Sequence, residues 1–386
     1  MQNEKRNIEF IQALRGIAAL AVVLRHAAEF IPGIIVYDTK AISWMLFWGG
    51  AGFGVDLFFI ISGFIMVCTT WSGDGSIRYT IEFYIKRFTR IFPVYTTLTL
   101  TLTLTSIFTL HGGMAFFDSG SNVNSLFKAL LFLPQGDISA KPVYGVAPLF
   151  VGWTLNYEMY FYLIFGASLL LGRARWIALA TVAVMTLVVL PYLTTGSVTA
   201  SVYPDYAYSF FYLNIISNPI IWLFIAGVGI ALIYKSKVRV ESQFWCLILV
   251  STATAFTIYQ YLSWYRADHG IFMWGISLVP LVLSLAIASK TIRIPAPHVF
   301  TYLGDISFSL YLVHLPVKGA LDIVFRYIGA VPEGAPFFVL MVLMSIIAAA
   351  ISHRYLEQSL ANWLKSKILT EFQHRFGKIG QDVLMK

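Results

Sequence analysis

Residues 8–29 read IEFIQALRGIAALAVVLRHAAE, an almost unbroken apolar run that carries Arg15, Arg25 and His26 inside it. A run of this length can cross the roughly 30 Å hydrocarbon layer of a bilayer as an α-helix. Charged residues within the run, and no small-residue cleavage site after it, argue against a cleaved signal peptide. We therefore interpret residues 8–29 as the first membrane-spanning helix.

The rest of the chain contains further apolar runs of similar length. Of its 386 residues, 58% are hydrophobic and only 12% are charged, whereas a soluble domain carries about 25% charged residues. Open strands are excluded from lipid because their unpaired backbone groups are too costly there. We predict an all-α integral membrane fold, a bundle of about ten transmembrane helices. The predicted spans are 8–29, 44–70, 93–111, 151–171, 175–195, 215–234, 243–263, 271–289, 299–318 and 336–353.

The distribution of basic residues predicts the orientation of these spans. Of the 27 Lys and Arg residues, 19 lie on the side of the N-terminus, 6 lie on the other side, and two lie within the first span. Basic residues concentrate in cytoplasmic loops, so we expect both termini in the cytoplasm and a multi-pass protein of the inner membrane. We expect one membrane domain over residues 1–364 and a basic cytoplasmic tail over 365–386, lying on membrane lipid.

Two classes of protein are disfavoured by the composition. The net charge of +8 would suggest nucleic-acid binding in a soluble protein, but here it is explained by the cytoplasmic loops, and no nucleic acid is expected. Cys68 and Cys246 both fall inside predicted spans, so they indicate neither a disulfide framework nor a metal site.

Arg15 and His26 in the first span are eleven residues apart. At about 100° per residue they come within roughly 20° of the same helix face, about 16 Å apart along the axis. An ionisable residue inside the membrane is a candidate functional residue because burying it is expensive. The pair would form a polar stripe leading from the inner surface to a reactive imidazole. The structural alternative is a snorkelling arginine and a histidine bonded near the interface.

Two further spans are expected to bring ionisable groups to the depth of His26. Glu158 follows Trp153 and Tyr157 at the outer end of the fourth span, and His314 lies near the outer end of the ninth. We predict that the Glu158 carboxylate reaches the His26 ring, as in a general-base arrangement. The alternatives are a structural hydrogen bond for Glu158 and contact with water for His314. Trp153, Tyr157 and His314 are predicted to bind substrate.

The second inside loop is basic. Lys86, Arg87 and Arg90 precede the third span, and the two arginines are i, i+3 neighbours on a helix. Such a group could clamp the phosphates of a nucleotide-bearing donor. The alternative is ordinary anchoring to anionic lipid.

The second span combines glycines with a carboxylate. Gly52, Gly54 and Gly63 permit close helix approach. Asp56 lies near mid-membrane and needs a partner, for which we expect Arg15. Asp56 is predicted to contribute to substrate binding, although a purely structural ion pair explains it equally well.

Together these stretches resemble the membrane-bound acyltransferase family three. Each motif alone is weak, but five in this order and topology, over residues 8–355, are specific. The basic motif departs from the family in having Lys86 before Arg87, where paired arginines are common. The stretches that carry the resemblance are Arg15-x10-His26, Gly54-Val55-Asp56-Leu57-Phe58-Phe59 with Ser62-Gly63-Phe64, Arg87-x-x-Arg90-Ile91-x-Pro93, Trp153-Thr154-Leu155 followed by Glu158, and Leu303-Gly304 through His314.

The resemblance implies that residues 1–364 are an acyltransferase domain. It implies acyl-CoA as cytoplasmic donor, with acetyl-CoA the commonest in the family, and as acceptor a hydroxyl of a saccharide or lipid-linked saccharide, such as exopolysaccharide, O-antigen or a lipid-linked glycan. It implies a catalytic role for His26, a supporting role for Arg15 and a donor site at Arg87 and Arg90. His26 would deprotonate the acceptor hydroxyl or form an acyl-histidine; the residues leave both open.

The main competing function is a transporter or flippase of a glycolipid or lipid-linked saccharide. A polar stripe of intramembrane charges would serve transport equally well. The sequence contains no internal repeat and no pair of broken helices that would support it.

Overall fold

The computed structural model describes residues 9–28, 52–109, 120–137 and 139–384. Every regular element within those ranges is helical, as predicted. The helices are α1 Glu9–Ala28, α2 Phe53–Thr70, α3 Ile77–Thr109, α4 Gly120–Leu130, α5 Trp153–Leu169, α6 Arg175–Val184 (continued by a π-helical turn and Leu190–Thr195), α7 Trp222–Lys235 (preceded by a short helix, Tyr212–Ile216), α8 Gln243–Ser263, α9 Gly275–Ala288, α10 His298–Asp305, α11 Ser307–Tyr327, α12 Gly334–Ser352 and α13 Ala361–Leu384.

Seven helices of the described chain are long and apolar enough to cross a membrane. They correspond to α1, α2, α6, α7, α8, α11 and α12 with its continuation, so the chain is a multi-pass membrane protein. The remaining three predicted spans fall on α3, α5 and α9, which are helical but do not meet the same length and composition. The predicted inside loop before the third span is wrong, because α3 begins at Ile77 and carries Lys86, Arg87 and Arg90. Residues 44–51 of the second predicted span lie outside the described residues.

The glycines of α2 allow the close helix contacts that the sequence predicts. A Cβ on Gly54 would lie 2.4 Å from the Ala18 carbonyl oxygen of α1. A Cβ on Gly63 would lie 2.1 Å from the Phe224 carbonyl oxygen of α7. Neither position has room for a side chain, so α2 packs backbone to backbone between α1 and α7.

The ninth predicted span, 299–318, is wrong as a single helix. The structure divides it into α10, which ends at Asp305, and α11, which begins at Ser307. Ile306 leaves the helical conformation at the junction, next to a close contact of α10 with α1, where a Cβ on Gly304 would lie only 2.0 Å from the Gln12 carbonyl oxygen. The break places the first residue of α11 beside Arg15, whose Nη2 donates to the Ser307 hydroxyl at 2.9 Å.

The C-terminal part of the chain also reaches the site. A π-helical stretch, His353–Leu360, joins α12 to α13, and α13 packs against α3. The predicted boundary between residues 364 and 365 falls inside α13, which is continuous there. The stretch carries Glu357, which accepts a hydrogen bond from the Ser309 hydroxyl of α11 at 3.1 Å.

Candidate active site

Three arginines and one glutamate line a single cavity between α1, α2, α3, α5 and α11. The cavity has a volume of about 70 Å³. Its charged lining residues are Arg15, Arg87, Arg90 and Glu158, and the aromatic residues around them include Tyr162 and Tyr311. Four helices thus deliver ionisable groups from four distant parts of the sequence to one place. We call this the arginine cavity.

Arg15 is held in the arginine cavity by neutral partners. Its Nη1 donates to the Gln12 side-chain oxygen and its Nη2 donates to the Ser307 hydroxyl, both at 2.9 Å. Among the described residues it forms no ion pair within 4.0 Å. The guanidinium is therefore fixed in position while its charge stays available to a ligand.

Arg87 and Arg90 project from one turn of α3, as predicted from their spacing. Arg87 Nη2 donates to the Thr69 hydroxyl at 2.9 Å, and its guanidinium lies 5.6 Å from the centre of the Tyr162 ring. The buried Nε of Arg87 has no hydrogen-bond partner, and Arg90 makes no hydrogen bond to any residue that the structure describes. Unsatisfied guanidinium nitrogens beside a cavity are typical of a site that binds an anion.

Lys86 does not join the two arginines. Its side chain is 52% exposed, and its Nζ lies 3.5 Å from a carboxylate oxygen of Glu82, one turn back on the same helix. It does not line the arginine cavity. Of the three predicted donor-site residues, the structure brings two together.

Glu158 belongs to the arginine cavity and not to the surroundings of His26. Its carboxylate accepts hydrogen bonds from the Tyr162 hydroxyl and, at 3.4 Å, from the Ser62 hydroxyl. The predicted partner, His26, does not line that cavity. The sequence predicts Glu158 at the depth of His26, but Glu158 Oε1 accepts a hydrogen bond from Tyr162, one turn further along α5. The predicted direct contact between Glu158 and His26 is therefore wrong.

His26 lies instead beside His314. The two ring centres are 5.2 Å apart, and His314 is completely buried. His314 Nδ1 lies 3.3 Å from the Leu310 carbonyl oxygen, to which only an N–H can donate. Its Nε2 is buried and has no hydrogen-bond partner in the described part of the chain. The structure therefore supports the predicted proximity of His26 and His314, with a free imidazole nitrogen in the pair.

Tyr311 connects His26 and His314, which we call the histidine pair, with the arginine cavity. Its side chain lines the cavity, and its hydroxyl lies 3.0 Å from the Thr154 hydroxyl. Its ring centre is 6.1 Å from that of His314, one helical turn further along α11. Arg15 and His26 both face α11, so the predicted polar stripe of α1 has Tyr311 and His314 opposite it.

The remaining predicted residues lie near the N-terminal end of α5 and of α2. Tyr157 is fully buried and donates to the Pro142 carbonyl oxygen at 2.8 Å, which indicates a packing role. Trp153 packs edge-on against Tyr157 at 6.0 Å and lies 6.0 Å from the ring of His269.

Asp56 is completely buried, and its partner is His269, not the predicted Arg15. One carboxylate oxygen bonds His269 Nδ1, and the other accepts the Gly270 backbone N–H at 2.7 Å. Arg15 is engaged with Ser307, so it does not serve as the counter-charge. His269 lies in the loop between α8 and α9, where no helical periodicity marks it as a candidate residue.

Comparison with known proteins identifies the family. A family profile described as an acyltransferase domain matches residues 8–354. The chain is 29% identical over 284 residues to the exopolysaccharide production protein ExoZ of Rhizobium meliloti, covering 73% of this chain and 80% of the relative. It is 27% identical over 175 residues to the peptidoglycan O-acetyltransferase OatA of Listeria monocytogenes, covering 44% of this chain and 25% of the relative.

No solved structure gives a significant match to the chain. The family profile nevertheless spans every helix that builds the arginine cavity and the histidine pair. The chain therefore belongs to the membrane-bound acyltransferase family three.

Proposed function

We propose that the protein transfers an acetyl group from acetyl-CoA to a hydroxyl of a saccharide at the inner membrane. The observation that carries this proposal is the charge of the arginine cavity. Three guanidinium groups line it, while its one carboxylate, Glu158, forms no ion pair within 4.0 Å in the described chain. The excess positive charge suits an anionic ligand, and coenzyme A is an anion with several phosphate groups.

The residues that bind the acyl donor are inferred from the guanidinium nitrogens that have no hydrogen-bond partner. Arg90 and the Nε of Arg87 have hydrogen-bonding capacity to spare, so we assign them to the phosphates of the donor. Arg15 is already oriented by Gln12 and Ser307 and would stabilise negative charge further along the same cavity. We place this cavity on the cytoplasmic side, since α3 emerges there among basic residues.

The chemistry requires a base for the acceptor hydroxyl, and His26 fills this role. His26 accepts the hydroxyl proton as the oxygen attacks the thioester carbonyl carbon. The carbon–sulfur bond breaks, coenzyme A leaves as a thiolate and then takes up a proton, and the acetyl ester remains on the saccharide. His314, with its free Nε2 beside His26, would help to share the proton that His26 acquires.

The acceptor class rests on the relatives. One is named as a protein of exopolysaccharide production and another as a peptidoglycan O-acetyltransferase. Both names concern saccharide polymers, which supports a saccharide or lipid-linked saccharide as acceptor here.

The test uses the full chain in lipid nanodiscs with radiolabelled acetyl-CoA and cell-surface polysaccharide. We expect release of free thiol that depends on both protein and saccharide, with the label recovered as base-labile ester on the saccharide. A matched control is Arg78→Ala, since Arg78 lies on the same helix as Arg87 but is exposed and paired with Glu82. Movement of a lipid-linked saccharide across vesicles without any thioester consumption would instead establish a transporter.

A further inference from the structure

A second polar cluster lies at the opposite end of α1 from the arginine cavity. Its centre is His269, in the loop between α8 and α9. Asp56 of α2 bonds His269, and α2 meets α1 where Gly54 faces Ala18 and Val22, so the loop lies toward the C-terminal end of α1. Val22 is seven residues beyond Arg15, which is about 10 Å along the helix axis. This cluster is therefore separate from the proposed donor site.

His269 is held in one orientation by a buried carboxylate. Asp56 is fully buried and uses one oxygen on His269 Nδ1 and the other on the Gly270 backbone N–H. The ring is thereby fixed with Nε2 as its remaining nitrogen. The side chain is 20% exposed, and no residue in the described chain bonds Nε2. A carboxylate that fixes one nitrogen of a histidine is a common way to aim the other at a ligand.

Asp268 and Tyr203 add an acceptor and an aromatic ring to the same cluster. One carboxylate oxygen of Asp268 accepts from the Tyr203 hydroxyl at 2.8 Å and from the His269 backbone N–H at 2.7 Å. The second oxygen of Asp268 has no hydrogen bond within the described residues. The Tyr203 side chain is 44% exposed. Hydrogen bonds thus join Asp268 to His269 and to the partly exposed Tyr203 in one cluster.

The chemistry of these three groups matches a saccharide better than a simple ion. Burial lowers the pKa of His269, but the Asp56 carboxylate and its hydrogen bond more than offset this, and the pKa is raised. Nε2 donates to a hydroxyl oxygen when it is protonated and accepts from a hydroxyl when it is not, and the second oxygen of Asp268 accepts from a hydroxyl. The carboxylate disfavours a simple anion, and the described residues contain no group of three side chains that could hold a metal ion.

We propose that His269, Asp268 and Tyr203 form a binding subsite for the saccharide acceptor at the end of α1 that carries His26. The proposal rests on the proposed acyl-transfer function and names where its second substrate docks. Asp56 is the positioning residue, because it reaches the saccharide only through His269. The subsite lies on the face that the basic residues assign to the outside, opposite the proposed entry of the donor.

The test separates binding from turnover. Oligosaccharides released from cell-surface polysaccharide are titrated into the full chain in nanodiscs by calorimetry, and acceptor and acetyl-CoA KM are measured in parallel. The informative variant is His269→Asn, since the asparagine amide can still donate to Asp56 but lacks Nε2. Tyr203→Ala is paired with Tyr265→Ala, a control in the same region with nearly equal exposure, 43% against 44%.

We expect His269→Asn, Asp268→Asn and Tyr203→Ala each to weaken oligosaccharide binding and raise the acceptor KM by roughly tenfold, a typical loss for one good polar contact. Acetyl-CoA KM, Tm and the Tyr265→Ala protein should not change. Unaltered acceptor binding in His269→Asn, or no binding by the wild type, would overturn the subsite. A lower Tm together with raised KM values for both substrates would also overturn the subsite. Oligosaccharide binding through His269 without acetyl transfer would keep the subsite and overturn the proposed function instead.

Discussion

His26 on α1 and His314 on α11 bring their imidazole rings to a centre-to-centre distance of 5.2 Å. His314 is the buried member of the pair, and its Nε2 has no hydrogen-bond partner in the described chain. A polar atom left unsatisfied in a buried site is costly and is usually retained for a functional reason. The pair is therefore where we expect proton transfer to take place.

Replacing His314 tests the contribution of its free nitrogen. His314→Asn can keep a donor toward the Leu310 carbonyl oxygen but removes Nε2. We expect kcat to fall by about 100-fold, the low end of the effect of a proton-transfer group, with the CoA affinity unchanged. Steady-state kinetics in nanodiscs measure this, with His298→Ala, an exposed residue at the start of α10, as control. A variant as active as wild type would leave His26 to act without this partner.

Removing Arg90 tests the proposed donor site. Arg90 makes no hydrogen bond and no ion pair within 4.0 Å among the described residues, so the Arg90→Ala variant should keep its fold. Loss of a charge-assisted phosphate contact is worth about 1.5–3 kcal/mol, so we expect CoA to bind roughly 10- to 100-fold more weakly by titration. Arg78→Ala should bind CoA normally. Equal CoA affinity in Arg90→Ala and wild type would move the donor away from the arginine cavity.

The contact between α10 and α1 gives a prediction about stability. In Gly304→Ala the added Cβ would meet the Gln12 carbonyl oxygen at 2.0 Å, so the helices must separate. We expect a loss of about 1–3 kcal/mol, read as a lower Tm, because overpacking a tight backbone contact is destabilising. Gly319→Ala is the control: nothing lies within 4 Å of its added Cβ, and we expect no loss of Tm there. A Tm of Gly304→Ala equal to that of wild type would contradict the tight contact.

Periodicity and charge were enough to predict part of this site. The eleven-residue spacing placed Arg15 and His26 on one face, and the structure sets both against α11. The i, i+3 spacing likewise placed Arg87 and Arg90 together. Such patterns are visible because they arise within a single helix.

Relationships between helices were harder to predict. Counting turns gives the depth of Glu158 but not the direction in which it points, so its bond to Tyr162 was missed. Hydropathy does not record the break before Ser307, nor the contact of Gly304 with the backbone of α1 beside it. His269 is in a loop, and only tertiary packing brings it to Asp56.

In the proposed reaction His26 performs the chemistry of acetyl transfer. The most direct measurement is kcat of His26→Ala for transfer of labelled acetyl from acetyl-CoA to saccharide, alongside Tm and CoA affinity. We predict that kcat falls by roughly 10²- to 10⁴-fold while Tm and CoA affinity stay at wild-type values, because the imidazole moves a proton and does not hold the fold together. Transfer at the wild-type rate by a normally folded His26→Ala protein would contradict this account.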